Sequence, residues 1–312
     1  MTTILGIGEC MVELSAQGEG LWRQAFAGDV FNTLWYARAA SHENVEIAFH
    51  TALGTDPLSN QLQSFVQTAG IDCTDVPRLE DRRPGLYSIQ LDGAERSFTY
   101  WRDTSAARMM MQQPDLLWAK VEKADIIYLS GITLAILPED DCDTLLNNLR
   151  RHKPTNAMIA FDPNIRPHLW DNHDRMRSVI AQAAAMSDIV MPSFDDEKTT
   201  FGDVDPEATA NRYHALGADH VVVKSGPDDT VHLKAGKITT YPVKPVEGVI
   251  DTTAAGDSFN GAYLAALLDG ASTQVAITKA QVCAGQVIQN KGALIEARLL
   301  APSSTPTAMA GS

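Results

Sequence analysis

Short apolar runs alternate along the chain with longer amphipathic segments. ILGIG (4–8), VEIAFHTAL (45–53), ADIIYLSG (124–131), MIAFDP (158–163), DIVMPS (188–193) and HVVVKSG (220–226) read as strands. Helix-like stretches at 29–40, 57–69, 139–151, 172–186 and 206–215 lie between them. This alternation predicts an α/β fold with a mostly parallel sheet and helices on both faces. In such folds ligands bind beyond the carboxyl ends of the strands. Polar segments follow those ends here: AGDVFN well after the first run, DPNIRP after MIAFDP, and SGPDD after HVVVK.

One stretch breaks the alternation. PGLYSIQLDGAERSFTYWRD (84–103) holds two period-2 runs joined at Asp92-Gly93, a strong hairpin-turn signal. In the first, Leu86, Ser88 and Gln90 share one face and Tyr87, Ile89 and Leu91 the other; in the second, Phe98 and Tyr100 alternate with Thr99 and Trp101. Aromatic or aliphatic groups on both faces call for cover from water, which a lid over a substrate, a subunit interface, or both would provide.

DTTAAGDSFNGAYLAALLDG (251–270) runs from a strand-like approach through a small-residue turn into a helix. Phe259, Ala262, Tyr263, Ala266 and Leu267 recur at helical spacing, and Gly270 follows as a stop. Ala254, Ala255 and Gly256 leave the backbone uncovered, so N–H groups at the helix start can hold an anion, with Asp257 at its mouth. An ordinary capped core helix is the competing reading. The spacing matches neither a Walker A loop nor a dinucleotide-binding glycine fingerprint.

Composition narrows the choice. With 312 residues and a formal charge of −14, the chain has ample material for a core and repels nucleic acid and anionic membrane surfaces alike. Cys10, Cys73, Cys142 and Cys283 are widely separated, so they are expected to be buried thiols rather than disulfide or zinc partners. The start, MTTILGIGECMVEL, has no basic leader pattern and reads as a first strand, and no run is long enough to span a membrane. A cytoplasmic location is expected.

Three further segments complement the anion hole. Gly28-Asp29-Val30-Phe31-Asn32 places a carboxylate and an amide at a helix start, either as a cap or as partners for sugar hydroxyls. Asp162-Pro163-Asn164-x-Arg166-Pro167 ends a strand in a proline-stiffened loop whose arginine suits a phosphate or carboxylate clamp, or a structural ion pair. The hairpin ends in Tyr100-Trp101-Arg102, with Tyr87 on the partner strand. Arginines 102 and 166 in an acidic protein predict local positive potential for an anionic small molecule.

Taken in order, AGDVFN, the hairpin, DPNIRP, KSGPDD and DTTAAGDSF resemble a ribokinase-type (phosphofructokinase-B type) sugar kinase over nearly the whole chain. PGLYSIQLDGAERSFTYWR and YLSGITLAILPED are most similar to the 2-keto-3-deoxygluconate kinases of that family. The resemblance implies a three-layer α/β/α ribokinase-like fold with a small β lid. It implies one kinase domain over 1–300, with the lid at about 84–103 and part of 10–25 inserted; the small, polar, proline-containing composition of 301–312 predicts a disordered tail. ATP with Mg²⁺ is the implied donor. The implied reaction is phosphorylation of 2-keto-3-deoxy-D-gluconate at its 6-hydroxyl, an Entner-Doudoroff step. By the same resemblance Asp257 is the general base, and Ala254, Ala255 and Gly256 form the anion hole. Gly28, Asp29, Asn32, Tyr87, Tyr100, Arg102 and Arg166 hold the sugar acid, while Asn164, Lys224, Ser225, Gly226 and Asp229 line the ATP site. Asp251 and Thr253 resemble positions that hold a monovalent cation in some relatives, while the two-faced hairpin itself predicts a homodimer or higher homo-oligomer through the lid.

Two departures stand out. Ser193-Phe194-Asp195-Asp196 replaces the family's Asn-x-x-Glu, so no protein metal ligand is assigned, and Asp228-Asp229 replaces a second glycine in the nucleotide loop. A fructokinase-like or other hexose kinase is the nearest alternative, and a catalytically silent sugar or nucleotide sensor the alternative from another class. Asp257, at a helix start, is expected to keep a low pKa and to be a weak base ionised at all working pH values.

Overall fold

A computed structural model of the chain describes residues 2–92, 95–296 and 300. The first half runs β1 (Thr2–Ile7), β2 (Met11–Gly18), β3 (Leu21–Ala27), α1 (Asp29–Ala40), β4 (Val45–His50), β5 (Leu53–Gly54), α2 (Pro57–Thr68), β6 (Arg78–Leu79), β7 (Leu86–Asp92), β8 (Glu95–Trp101), α3 (Pro114–Val121), β9 (Ile126–Ser130), α4 (Gly131–Ile136) and α5 (Glu139–His152). The second runs β10 (Met158–Asp162), α6 (His173–Met186), β11 (Ile189–Val190), α7 (Phe194–Phe201), α8 (Pro206–Ala215), β12 (His220–Val223), β13 (Thr230–Lys234), β14 (Lys237–Tyr241), α9 (Ala255–Leu268) and α10 (Thr273–Val287). The five helices expected from periodicity appear within one residue of their expected bounds.

The main sheet has the order β14-β13-β12-β11-β10-β9-β1-β4. Strands from β4 through β12 pair in parallel, and β13 and β14 extend the edge antiparallel. Period-2 alternation splits its side chains between two cores. Leu5, Ile7, Ile127, Leu129, Ile159 and Phe161 bury one face against α3, α5, α6 and α8. Ile4, Ile126, Tyr128 and Ala160 bury the other against α1, α2, α9 and α10. Each buried Leu, Ile or Phe among them contributes roughly 1.5–3 kcal/mol, which explains why short runs suffice as strands. The expected three-layer α/β/α arrangement is thus present.

The hairpin joins β2 and β3 in a second, four-stranded sheet of order β3-β2-β7-β8. Its register pairs Tyr87 with Tyr100 and Ile89 with Phe98, so these side chains share a face, as the alternation predicts. Leu21, Trp22 and Trp101 stay exposed. Gly93 of the expected turn, and the tail 301–312, lie outside the described residues. Among those residues all four cysteines are buried and free, and no helix is long and apolar enough to cross a membrane.

Candidate active site

The site forms where the carboxyl ends of the parallel strands meet the amino ends of α1 and α9. Glu9 follows β1, Asp162, Asn164 and Arg166 end or follow β10, Ser193 and Asp196 follow β11, and Lys224 follows β12. At the start of α9, Ala254 adopts φ 61° and ψ 16°. A left-handed conformation is unfavourable for alanine by roughly 1–2 kcal/mol, so tertiary packing must enforce this turn. The N–H of Ala255 is taken by the Thr252 carbonyl at 3.2 Å. The next first-turn donors are the N–H groups of Gly256 and Asp257.

Asp257 is held from α1. Asn32 Nδ2 donates to Asp257 Oδ2 at 2.8 Å, while Asn32 Oδ1 accepts from the N–H of Gly28 at 3.3 Å. The amide expected to meet substrate therefore orients a carboxylate. Asp29 does not cap its helix, because Gly28 occupies the cap position without a side-chain bond; Asp29 Oδ2 instead accepts from Asn164 Nδ2 at 3.0 Å. Burial, then the neighbouring Asp29 carboxylate, pushes the Asp257 pKa up to about 7, against the lowering effects of Asn32 and Lys224. The expected low pKa is thus corrected. Desolvation and like charge outweigh what a helix terminus offers.

A buried network lies beneath. Lys224 Nζ donates to Asp162 Oδ2 at 2.7 Å and to Asn260 Oδ1 at 3.1 Å. Asn260 Nδ2 donates to the same Asp162 oxygen at 2.6 Å and to the Tyr128 hydroxyl at 3.1 Å. A Cβ built on Gly256 would lie 3.5 Å from Lys224 Nζ, which puts the ammonium under the start of α9. The lysine is thus fixed on a carboxylate at the junction of two cavities, both of which it lines.

The lid supplies aromatic and charged groups to one cavity. Tyr87 and Tyr100 rings lie 5.7 Å apart, Tyr100 faces His168 at 6.3 Å, and the Tyr87 hydroxyl donates to Glu13. Both arginines are already paired: Arg102 Nη2 with Glu9 Oε2, and Arg166 Nη1 with Asp196 Oδ2, the latter at 3.2 Å. The positive potential expected from these two side chains is therefore tempered by a carboxylate beside each.

This cavity, about 350 Å³, is lined by Gly28, Asp29, Asn32, Tyr87, Tyr100, Arg102, Arg166 and Asp257, as well as Glu9, Asp196 and His168. The second, about 490 Å³, is lined by Ser225, Gly226, Pro227, Val243, Val246, Phe259, Gly285 and Ile288. Ala255, Gly256, Lys224 and Ser193 line both. Two expected positions differ. Asn164 lines the smaller, lid-side cavity, since its tie to Asp29 turns it there. Asp229 does not line the larger one and instead accepts from the Val243 N–H at 3.3 Å. Ala254 lines only the smaller cavity, beside Asp257.

Elsewhere, Asp251 Oδ1 accepts from the Thr253 N–H at 3.0 Å and its hydroxyl at 2.7 Å, and Asp251 Oδ2 accepts from the Gly292 N–H at 2.8 Å. Among the described residues no group of three or more His, Cys, Asp or Glu side chains is placed to hold a metal ion. The larger cavity nevertheless suits a nucleotide. Its walls are apolar, Ser225 Oγ is buried without a partner, and Lys224 and the α9 start close its inner end. Sequence reasoning missed Glu9, His168 and the participation of Asp196. The only signal for Glu9 was an acid between two apolar runs in GIGECMVEL.

Comparison with known proteins agrees with this geometry. Over 305 residues the chain is 38% identical to the 2-dehydro-3-deoxygluconokinase of Haemophilus influenzae, covering 95% of this chain and 96% of that one. Against the 2-dehydro-3-deoxygluconokinase of Escherichia coli the identity is again 38%, over 93% and 96%. A PfkB protein from a Polaromonas species superposes with a TM-score of 0.81 at 26% identity, over 93% of this chain and 96% of that one. Aminoimidazole riboside kinase from Salmonella enterica, solved with aminoimidazole riboside and an ATP analogue, gives 0.80 at 22% identity, over 96% of each chain. The pfkB family carbohydrate kinase pattern matches residues 1–298, and with its ribokinase-like fold the chain belongs to that family.

Proposed function

We propose that the chain transfers the γ-phosphoryl group of ATP to the 6-hydroxyl of 2-keto-3-deoxy-D-gluconate, giving the 6-phosphate and ADP. Relatives named for this substrate, in its 2-dehydro form, are 38% identical over nearly the full length. The observation that carries the reading is Asp257, a partly buried carboxylate at the helix start shared by a polar and an apolar cavity. The sugar acid takes the polar cavity and ATP the apolar one.

In this reading Asp257 Oδ1 faces the 6-hydroxyl while Asn32 holds Oδ2. As the hydroxyl oxygen bonds to phosphorus and the bond to ADP breaks, the proton passes to Asp257. A group titrating near 7 is well matched to that task at neutral pH. Phosphoryl transfer depends chiefly on positioning and charge stabilisation. The Gly256 and Asp257 N–H groups and Lys224 supply positive potential where equatorial oxygens gather charge. Arg102 and Arg166 face the sugar carboxylate, and the Tyr87 and Tyr100 face of the lid excludes water. Magnesium bound with ATP would supply positive charge to the phosphates, and Asp196, which lines the same cavity as Lys224, is a carboxylate that would hold it.

Coupled ADP release with ATP and Mg²⁺ tests the reading, with 2-keto-3-deoxygluconate set against fructose, ribose and gluconate at equal concentration. The expected result is preference for the keto-deoxy acid. Preference for a neutral sugar overturns the substrate, and sugar binding without turnover makes the chain a sensor.

A further inference from the structure

Glu9 and Arg102 form an ion pair that is far more secluded than the other arginine pair of the same cavity. Glu9 is 2% exposed and Arg102 7%, whereas the Arg166 side chain is 41% exposed and also bonds its neighbour's carbonyl on Ile165. Three separate stretches of chain build the secluded pair: the turn after β1, the residue before β7, and the end of β8. A Cβ on Gly85 would lie 2.7 Å from Glu9 Oε1 and 3.0 Å from Met11 Cγ, so only glycine there leaves room for the carboxylate. Backbone bonds fix the surroundings, with Val12 N–H donating to the Gly85 carbonyl at 2.8 Å and Ser105 N–H to that of Arg102 at 3.0 Å.

A buried ion pair is weak evidence for stability, since apolar residues of similar volume often serve as well. This one also leaves a polar atom of each member buried without a partner, Glu9 Oε1 and Arg102 Nε. Such atoms are unfavourable in a finished core. Both residues line the lid-side cavity. Glu9 engages Nη2 and so fixes the rotation of the guanidinium plane, with Nε buried behind it without a partner. A guanidinium offers two edges to carboxylates, and one already aligned loses less freedom when it takes a second.

We propose that Glu9 is the positioning residue for Arg102, holding its guanidinium with one edge ready for the carboxylate of the sugar acid. This rests on the reading that such a carboxylate binds in this cavity.

The test is steady-state kinetics on four variants, with thermal melting to verify folding. Arg102→Met checks the underlying reading and is expected to raise KM for 2-keto-3-deoxygluconate by roughly 100-fold. Glu9→Met, similar in volume but unable to accept, is expected to raise that KM about tenfold, with kcat changed by less than about threefold and KM for ATP unmoved. Glu9→Gln keeps an acceptor of the same shape and is expected to bring KM back to within about threefold of the parent. Should Glu9→Met fail to fold, Gly85→Ala displaces the carboxylate with Glu9 intact, and the same KM rise is expected. A wild-type or lowered KM in Glu9→Met or Gly85→Ala, or equal damage to kcat and both KM values, overturns the inference while Arg102→Met leaves the substrate reading standing. An unchanged KM in Arg102→Met overturns both.

Discussion

The two cavities that meet at the start of α9 are built on opposite principles. The lid-side cavity brings together Glu9, Asp29, Asp162, Asp196 and Asp257 with Arg102, Arg166 and Lys224, and each of its cations already has a carboxylate partner. The other is walled by Val243, Val246, Val249, Phe259 and Ile288. A polar site of this kind recognises by matched hydrogen bonds and rejects a ligand that leaves one unmade, while an apolar slot discriminates weakly, by shape. On the proposed reading the difference places selectivity on the lid side, with the apolar cavity a fitted seat for a flat ring.

The sharpest way to break the comparison is at the helix start that both sides share. Asp257→Ala is expected to lower kcat by roughly 100-fold or more with folding retained, and wild-type turnover would remove Asp257 from the mechanism. The parent enzyme should show an acid limb in kcat/KM centred near pH 7, because burial and Asp29 raise the Asp257 pKa to about 7 and only the ionised form accepts the proton. Asp29→Asn removes a like charge and moves that limb to lower pH. A limb unmoved in that variant would detach the acid limb from this carboxylate pair.

Stability gives the next effect, of opposite sign. The folded carboxyl titrates at about 7 and an unfolded aspartate near ~3.9, so between these values the folded state binds a proton that the unfolded state has lost. Its contribution is therefore fully present below about pH 4 and is lost as pH rises through 7. Asp257→Asn escapes that loss. Its melting temperature should exceed the parent's above pH 7, by an amount worth on the order of a few kcal/mol, with the gap closing toward pH 4. Equal gaps at both pH values would mean that packing, not ionisation, sets the difference.

The same contrast governs how much was legible in the sequence. The helix Glu139–His152 announces itself because one face is apolar and the other charged. The edge strands β13 and β14 and the helix α10 did not, the last because Ala, Val and Gln alternate there without a sharp stripe. Among site residues, Asp257, Asn32 and Arg102 were visible as motif members. Their pairings were not, since Glu9 meets Arg102 across 93 positions and Asp162 meets Lys224 across 62. The reversed pKa of Asp257 has the same origin. A helix terminus is local and readable, but Asp29 arrives from α1 only once the chain is folded.

The smallest effect belongs to the apolar side. Gly285, on α10, lines the larger cavity, and a Cβ there would lie 3.1 Å from Val246 Cγ2. That is tight but not prohibitive, so Gly285→Ala is expected to raise KM for ATP roughly threefold, with KM for the sugar acid unchanged. Val246→Ala removes the opposing methyl groups. Combined with Gly285→Ala it should return KM for ATP toward the parent value, a coupling expected only for residues in contact. If the double variant is instead as poor as the sum of the two, the wall is sensing lost apolar area rather than shape. The nucleotide seat would then depend on the extent of its walls more than on their fit.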